Sequence, residues 1–138
     1  MKNKIIVAGI CIVLIIIISV ILLIIGKRNY IDTLFASRVS LKYYYNDKQI
    51  DIIVTDENDI RIIKENLKGI SYEDNPSCGF SRDISITFSD GDNELVVCPA
   101  CDGCSKARIG VSNRYICIKD INALKTVLEK YGFCFPCI

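Results

Sequence analysis

The sequence has no histidine. That absence removes Ser-His-Asp and Cys-His catalysis together with every histidine-ligated metal site, and leaves reactive chemistry to Cys, Asp, Glu, Lys and Tyr. An excess of positive charge is also missing from the part expected to fold. Residues 29–138 hold 13 of the 17 Lys and Arg and all 16 Asp and Glu, a formal net charge of −3. Nucleic acid, whose binding rests on basic contacts to phosphate, is therefore not an expected partner. The chain has no convincing internal repeat, no low-complexity segment, and no carboxylates whose spacing ties them to acid–base work.

Charge is absent altogether from residues 5–25, IIVAGICIVLIIIISVILLII. As a helix rising about 1.5 Å per residue, this run is about 31 Å long and matches a bilayer core of about 30 Å, so it predicts a transmembrane helix. A tail (1–4) precedes it, a juxtamembrane connector (26–37) follows, and residues 38–138 form one small domain. A cleaved signal needs a shorter apolar core and a small-residue cleavage site, and Gly26-Lys27-Arg28-Asn29 supplies none. Cys11 follows Ile10, where a lipoprotein signal needs Gly or Ala.

Orientation is not decided by charge, because Lys2 and Lys4 stand against Lys27, Arg28, Arg38 and Lys42. Seven of the eight cysteines follow the helix, and cysteine-dense small domains belong to oxidising compartments. The expectation is a single-pass protein of the cell membrane, N-terminus inside and C-terminal domain outside. Its expected partners are the membrane, through the N-terminal helix, and a protein or small-molecule ligand for the domain.

Alternating apolar and β-branched runs predict three hairpins: 39–45 with 50–54, 82–88 with 94–98, and 107–111 with 115–118. Tyr43, Tyr44 and Tyr45 in the first of these are either core or a binding platform. SDGDNE (89–94) is a hairpin turn with a faint likeness to a calcium loop. Helical spacing of Ile60, Ile63 and Leu67 predicts a helix over about 57–68, with Thr55 as N-cap and Gly69 as stop. A second helix follows Asp120 as N-cap, turns Ile121, Leu124, Val127 or Leu128 and Tyr131 inward, and stops at Gly132. The order ββ-α-ββ-ββ-α predicts an α+β fold, an antiparallel sheet with both helices on one face. Ile60, Ile63, Leu67, Ile84, Ile86, Phe88, Leu124 and Leu128 are the expected core.

The cysteines carry what chemistry there is. A strand meander brings Cys78, the 98–104 loop and Cys117 to one sheet edge, while a helix climbing away places Cys134 and Cys137 near the opposite edge. Disulfides are the first reading, with Cys78, Cys98, Cys101, Cys104, Cys117, Cys134 and Cys137 as candidates; seven thiols cannot all pair within one chain. Cys98, Cys101, Cys104 and Cys117 form an alternative zinc-ligand set. Cys11 reads as a small apolar side chain.

CPACDG resembles the Cys-Pro-x-Cys-Gly knuckle of zinc ribbons and rubredoxins, with Asp102 in the place of the knuckle's Gly. Cys98, Cys101 and Cys104 resemble the start of ferredoxin spacing, with Arg108 in the place of the fourth cysteine. CPAC is similar to the glutaredoxin motif, with a strand following instead of a helix. The whole layout, carried by the apolar run, PACDGC and YGFCFPCI, resembles small bacterial membrane-anchored or secreted proteins with one compact Cys-containing domain, and that resemblance implies no activity. The functional expectation is a membrane-tethered, non-enzymatic binding or envelope-associated module with structural cysteines and no cofactor. The alternative is a thiol–disulfide oxidoreductase or a Cys-ligated zinc protein using the 98–104 loop.

Overall fold

The structure is a computed structural model that describes the backbone of residues 2–136 and the side chains of residues 9–24 and 29–136. It divides into two units, residues 1–30 and 31–138. The first holds one helix, α1 (Lys2–Asn29), whose side chains over 9–24 are apolar apart from Ser19 and are exposed, Leu23 to 71%. Among the described residues no helix is long and apolar enough to cross a membrane, which overturns the expected transmembrane span at 5–25.

The second unit is α+β. Its main sheet has seven antiparallel strands: β2 (Arg38–Tyr45), β3 (Lys48–Ile53), β5 (Tyr72–Glu73), β6 (Ile84–Asp90), β7 (Asn93–Pro99), β8 (Lys106–Ile109) and β9 (Arg114–Cys117). They lie in the order β3-β2-β6-β7-β8-β9-β5. The two-residue strands β1 (Tyr30–Ile31) and β4 (Gly69–Ile70) pair with each other outside this sheet. The three expected hairpins are present. Asn46, in the left-handed region at φ +52°, turns the first, and SDGDNE forms the β6–β7 turn around Gly91 at φ +55°. The unexpected strands are β1, β4 and β5, each too short to show a period of two.

Helix α2 (Glu57–Asn66) starts one residue later than Thr55 suggests: the Asp56 carboxylate accepts the Asp59 N–H at 3.0 Å and is the N-cap. Helix α3 (Ile121–Lys130) is capped by Asp120, as expected, through the Ala123 N–H at 3.0 Å. Val39, Leu41 and Tyr43 of β2 share one sheet face with Ile84, Ile86 and Phe88 of β6, and Ile63, Leu67, Leu124 and Leu128 of the helices join the same core. All the expected core residues are buried except Ile60, which packs at the margin. Tyr43 is core, its ring 4.8 Å from that of Phe133, whereas Tyr44 points to the other face with the Lys42 ammonium 4.7 Å from its ring.

Asp59 is a buried carboxylate that ties the helices together, accepting from the Lys130 ammonium at 2.6 Å and the Tyr131 hydroxyl at 2.7 Å. Hydrogen bonding to Asp59 raises the Lys130 pKa, and burial, with help from Asp59, raises that of Tyr131. Both groups hold their protons more firmly folded than unfolded, so their contribution is complete at neutral pH and is lost as pH rises beyond about 10. Denaturant titrations at increasing pH should show stability falling above about pH 10, with a shallower fall in Tyr131→Phe. Equal slopes in the two proteins would show that Tyr131 does not titrate against Asp59.

The course of α3 corrects the expected position of the tail. The Asp120 N–H donates to Asn66 Oδ1 at 2.7 Å, and Ile121, Leu124 and Leu128 then line a crevice with Pro99, Ala100 and Gly103. The helix ends at β3, where Lys48 donates to the Gly132 carbonyl at 3.4 Å. It therefore runs across the strands at the end occupied by the 98–104 loop instead of climbing along them. Gly132 makes the exit possible: its φ is +92°, and a Cβ there would stand 2.9 Å from Ile50 Cδ1. Phe135 returns to the crevice beside Pro99 and Gly103.

Candidate functional site: the cysteine loop

Strand β7 delivers Cys98 and Pro99 to the sheet end, and the loop after them is held by backbone hydrogen bonds. Ala100 N–H donates to the Lys106 carbonyl at 3.1 Å, Cys101 N–H to Gly79 at 2.8 Å and Gly103 N–H to Ala100 at 3.3 Å. Gly103, with φ +80°, supplies the reversal that a side chain would resist. The Cys104 N–H then donates to Asp102 Oδ1 at 3.1 Å, folding the Asp102 carboxylate over the loop.

Identical spacing gives the three loop cysteines different surroundings. Cys98 is fully buried and pairs in register with Arg108 on the sheet face opposite the helices. Burial pushes its thiol pKa up, against the opposing pull of Arg108. Cys101 belongs to the core cluster. Cys104 is joined to Cys78 in a disulfide with Cα atoms 6.8 Å apart. This bond fixes the segment before β6 to the loop after β7, and neighbouring contacts reinforce it. The Phe80 ring lies 5.2 Å from that of Tyr115, with the Arg108 guanidinium 5.7 Å from its centre. Lys106 pairs with Asp74 at 2.6 Å and holds that carboxyl below its ordinary range.

Cys117 and Cys134 meet other partners. Cys117 is exposed with its sulfur 3.4 Å from the Tyr72 hydroxyl, whose pKa is pushed up to about 12 by burial and then by Cys117. Cys134 is exposed and receives the Lys48 ammonium at 3.0 Å beside Tyr43, Tyr45 and Pro136. Cys11 is exposed on α1, and Cys137 lies outside the described residues. Of the zinc set Cys98, Cys101, Cys104 and Cys117, the structure brings no three donors together. Among the described residues the group of donors within 4.8 Å of one another is Cys78, Asp102 and Cys104.

Asp102 is the member that sequence reasoning missed as a donor; its place in the knuckle pattern was the available signal. On the sheet face away from the helices, Lys42, Arg82, Ser85, Thr87, Glu94 and Val96 surround a concavity of about 350 Å³. The chain matches no protein-family model, no curated protein and no solved structure.

Proposed function

We propose that the chain is a non-enzymatic binding module that works in an oxidising, extracytoplasmic compartment, with the cysteines of the 98–104 loop serving the scaffold. The observation that carries this reading is the Cys78–Cys104 disulfide, which holds two loops at one end of the sheet. Disulfides of this kind persist outside the reducing cytosol. A thiol-exchange reading of the loop finds less support: Cys104 is engaged with Cys78, and Cys98 is buried with a raised pKa, the reverse of an exposed low-pKa nucleophile. The open concavity on the sheet face away from the helices presents both charge signs, Lys42 and Arg82 against Glu94, which suits a small polar ligand.

The test uses the full chain in non-ionic detergent. Peptide mapping without reductant should recover Cys78 joined to Cys104, and catalytic amounts of protein should not accelerate the reduction of insulin by dithiothreitol. Acceleration that disappears in a Cys98→Ser, Cys101→Ser double variant would overturn the reading in favour of an oxidoreductase.

A further inference from the structure

We infer that the Cys78–Cys104 disulfide and a thiophilic divalent metal are alternative occupants of one site, with the Asp102 carboxylate as third ligand. The sulfurs of Cys78 and Cys104 and a carboxylate oxygen of Asp102 lie within 4.8 Å of one another. A tetrahedral zinc ion with bonds of about 2.3 Å to sulfur and about 2.0–2.2 Å to oxygen places its ligand atoms roughly 3.5–3.8 Å apart. Opening the disulfide moves the two sulfurs toward that separation without recruiting a residue from elsewhere.

The surroundings suit an ion that enters and leaves. Asp102 is exposed, and Cys78 and Cys104 are half-buried, so the site has a path to solvent and leaves a fourth position for water. Asp102 Oδ1 already accepts the Cys104 N–H, which fixes the carboxylate beside the sulfur and orients it for a metal. Gly103, between these two ligands and at φ +80°, allows both to present to one point. The other end of the bond is anchored independently, since the Gly79 carbonyl receives the Cys101 N–H at 2.8 Å.

The chemistry balances with a dithiol as reductant. The dithiol transfers two electrons and two protons to the Cys78–Cys104 bond, giving two protein thiols and one disulfide of the reductant. Metal binding then releases those two protons as the thiolates coordinate. In the oxidised state the two sulfurs share one electron pair in the S–S bond, two electrons fewer than two thiolates hold, and neither carries the thiolate charge that binds a metal. The proposal rests on the sulfur pairing and not on the binding module's ligand.

Cobalt(II) is the probe, because thiolate coordination gives a charge-transfer band in the near ultraviolet. The full chain in detergent, reduced with dithiothreitol and desalted without oxygen, should bind one Co²⁺ with this band, and zinc should displace it. The unreduced chain should show no band. Asp102→Asn keeps both cysteines, forms the disulfide normally and should weaken Co²⁺ binding by tenfold or more after reduction. Cys78→Ser should abolish the two-thiolate band, while Cys117→Ser should leave it unchanged. Circular dichroism of each reduced protein separates lost binding from lost structure. A folded reduced chain with no cobalt band, or a band insensitive to both Asp102→Asn and Cys78→Ser, would overturn the inference. Mapping of the disulfide in unreduced protein tests the scaffold reading separately.

Discussion

Cys78→Ser is expected to lower the stability of the oxidised domain by about 3.5 kcal/mol. The bond joins residues separated by 26 positions, and closing a loop of that length removes about this much chain entropy from the unfolded state. For a domain of this size the melting temperature should fall by roughly 10–25 °C. Cys104→Ser should produce the same loss, and the double variant should add almost nothing, because both substitutions delete one bond. Thermal denaturation followed by circular dichroism, without reductant, measures all three. If each single variant melts with the wild type, the disulfide does not constrain the unfolded chain.

The second large effect is expected at Leu124→Ala, at about 2–5 kcal/mol. Leu124 is fully buried in the common core and also lines the crevice with Pro99, Ala100 and Phe135. Its removal opens a space between α3, the cysteine loop and the returning tail, where three separate segments would have to move to refill it. Asn122, exposed on the same helix and outside that crevice, serves as control: Asn122→Ala should change stability by less than about 0.5 kcal/mol. Denaturant unfolding checks both. A Leu124→Ala cost below about 1 kcal/mol would mean that α3 does not seal the core.

Sequence periodicity was enough for the hairpins, both helices and most of the core, because Ile84, Ile86 and Phe88 alternate cleanly and Ile63 and Leu67 fall on one helical stripe. What it could not convey was direction in space. The angle of α3 across the sheet depends on where Asn66, Ala100 and Ile50 meet it, and none of these is local to the helix. The position of the tail was misread for that reason. Asp59 poses the same difficulty. On sequence it is one more acid in a first turn, and only Lys130 and Tyr131, about seventy residues away, make its burial tolerable. The apolar run at the start of the chain was read by length and charge alone, and the described helix does not meet the requirement for a span.

In the cysteine loop, spacing was the weakest guide of all. Cys98, Cys101 and Cys104 repeat every third residue, yet the strand end at Pro99 and the reversal at Gly103 send them to the outer sheet face, the core and the disulfide respectively. Asp102 was noted as a defect in a knuckle pattern and is instead one of the three gathered donors.

The two margins of the sheet have unequal consequences for self-association. At one margin β5 offers only Tyr72 and Glu73, too short a template for another chain to zip onto. At the other, β3 runs six residues, but Lys48 and Asp51 stand along it, and the α3 exit at Gly132 crowds its beginning. A copy of this strand laid alongside in antiparallel register must desolvate those charges and displace the tail from its first residues. Growth of the sheet by recruitment of further chains is obstructed at both borders, so at high concentration the folded domain resists fibrillar stacking.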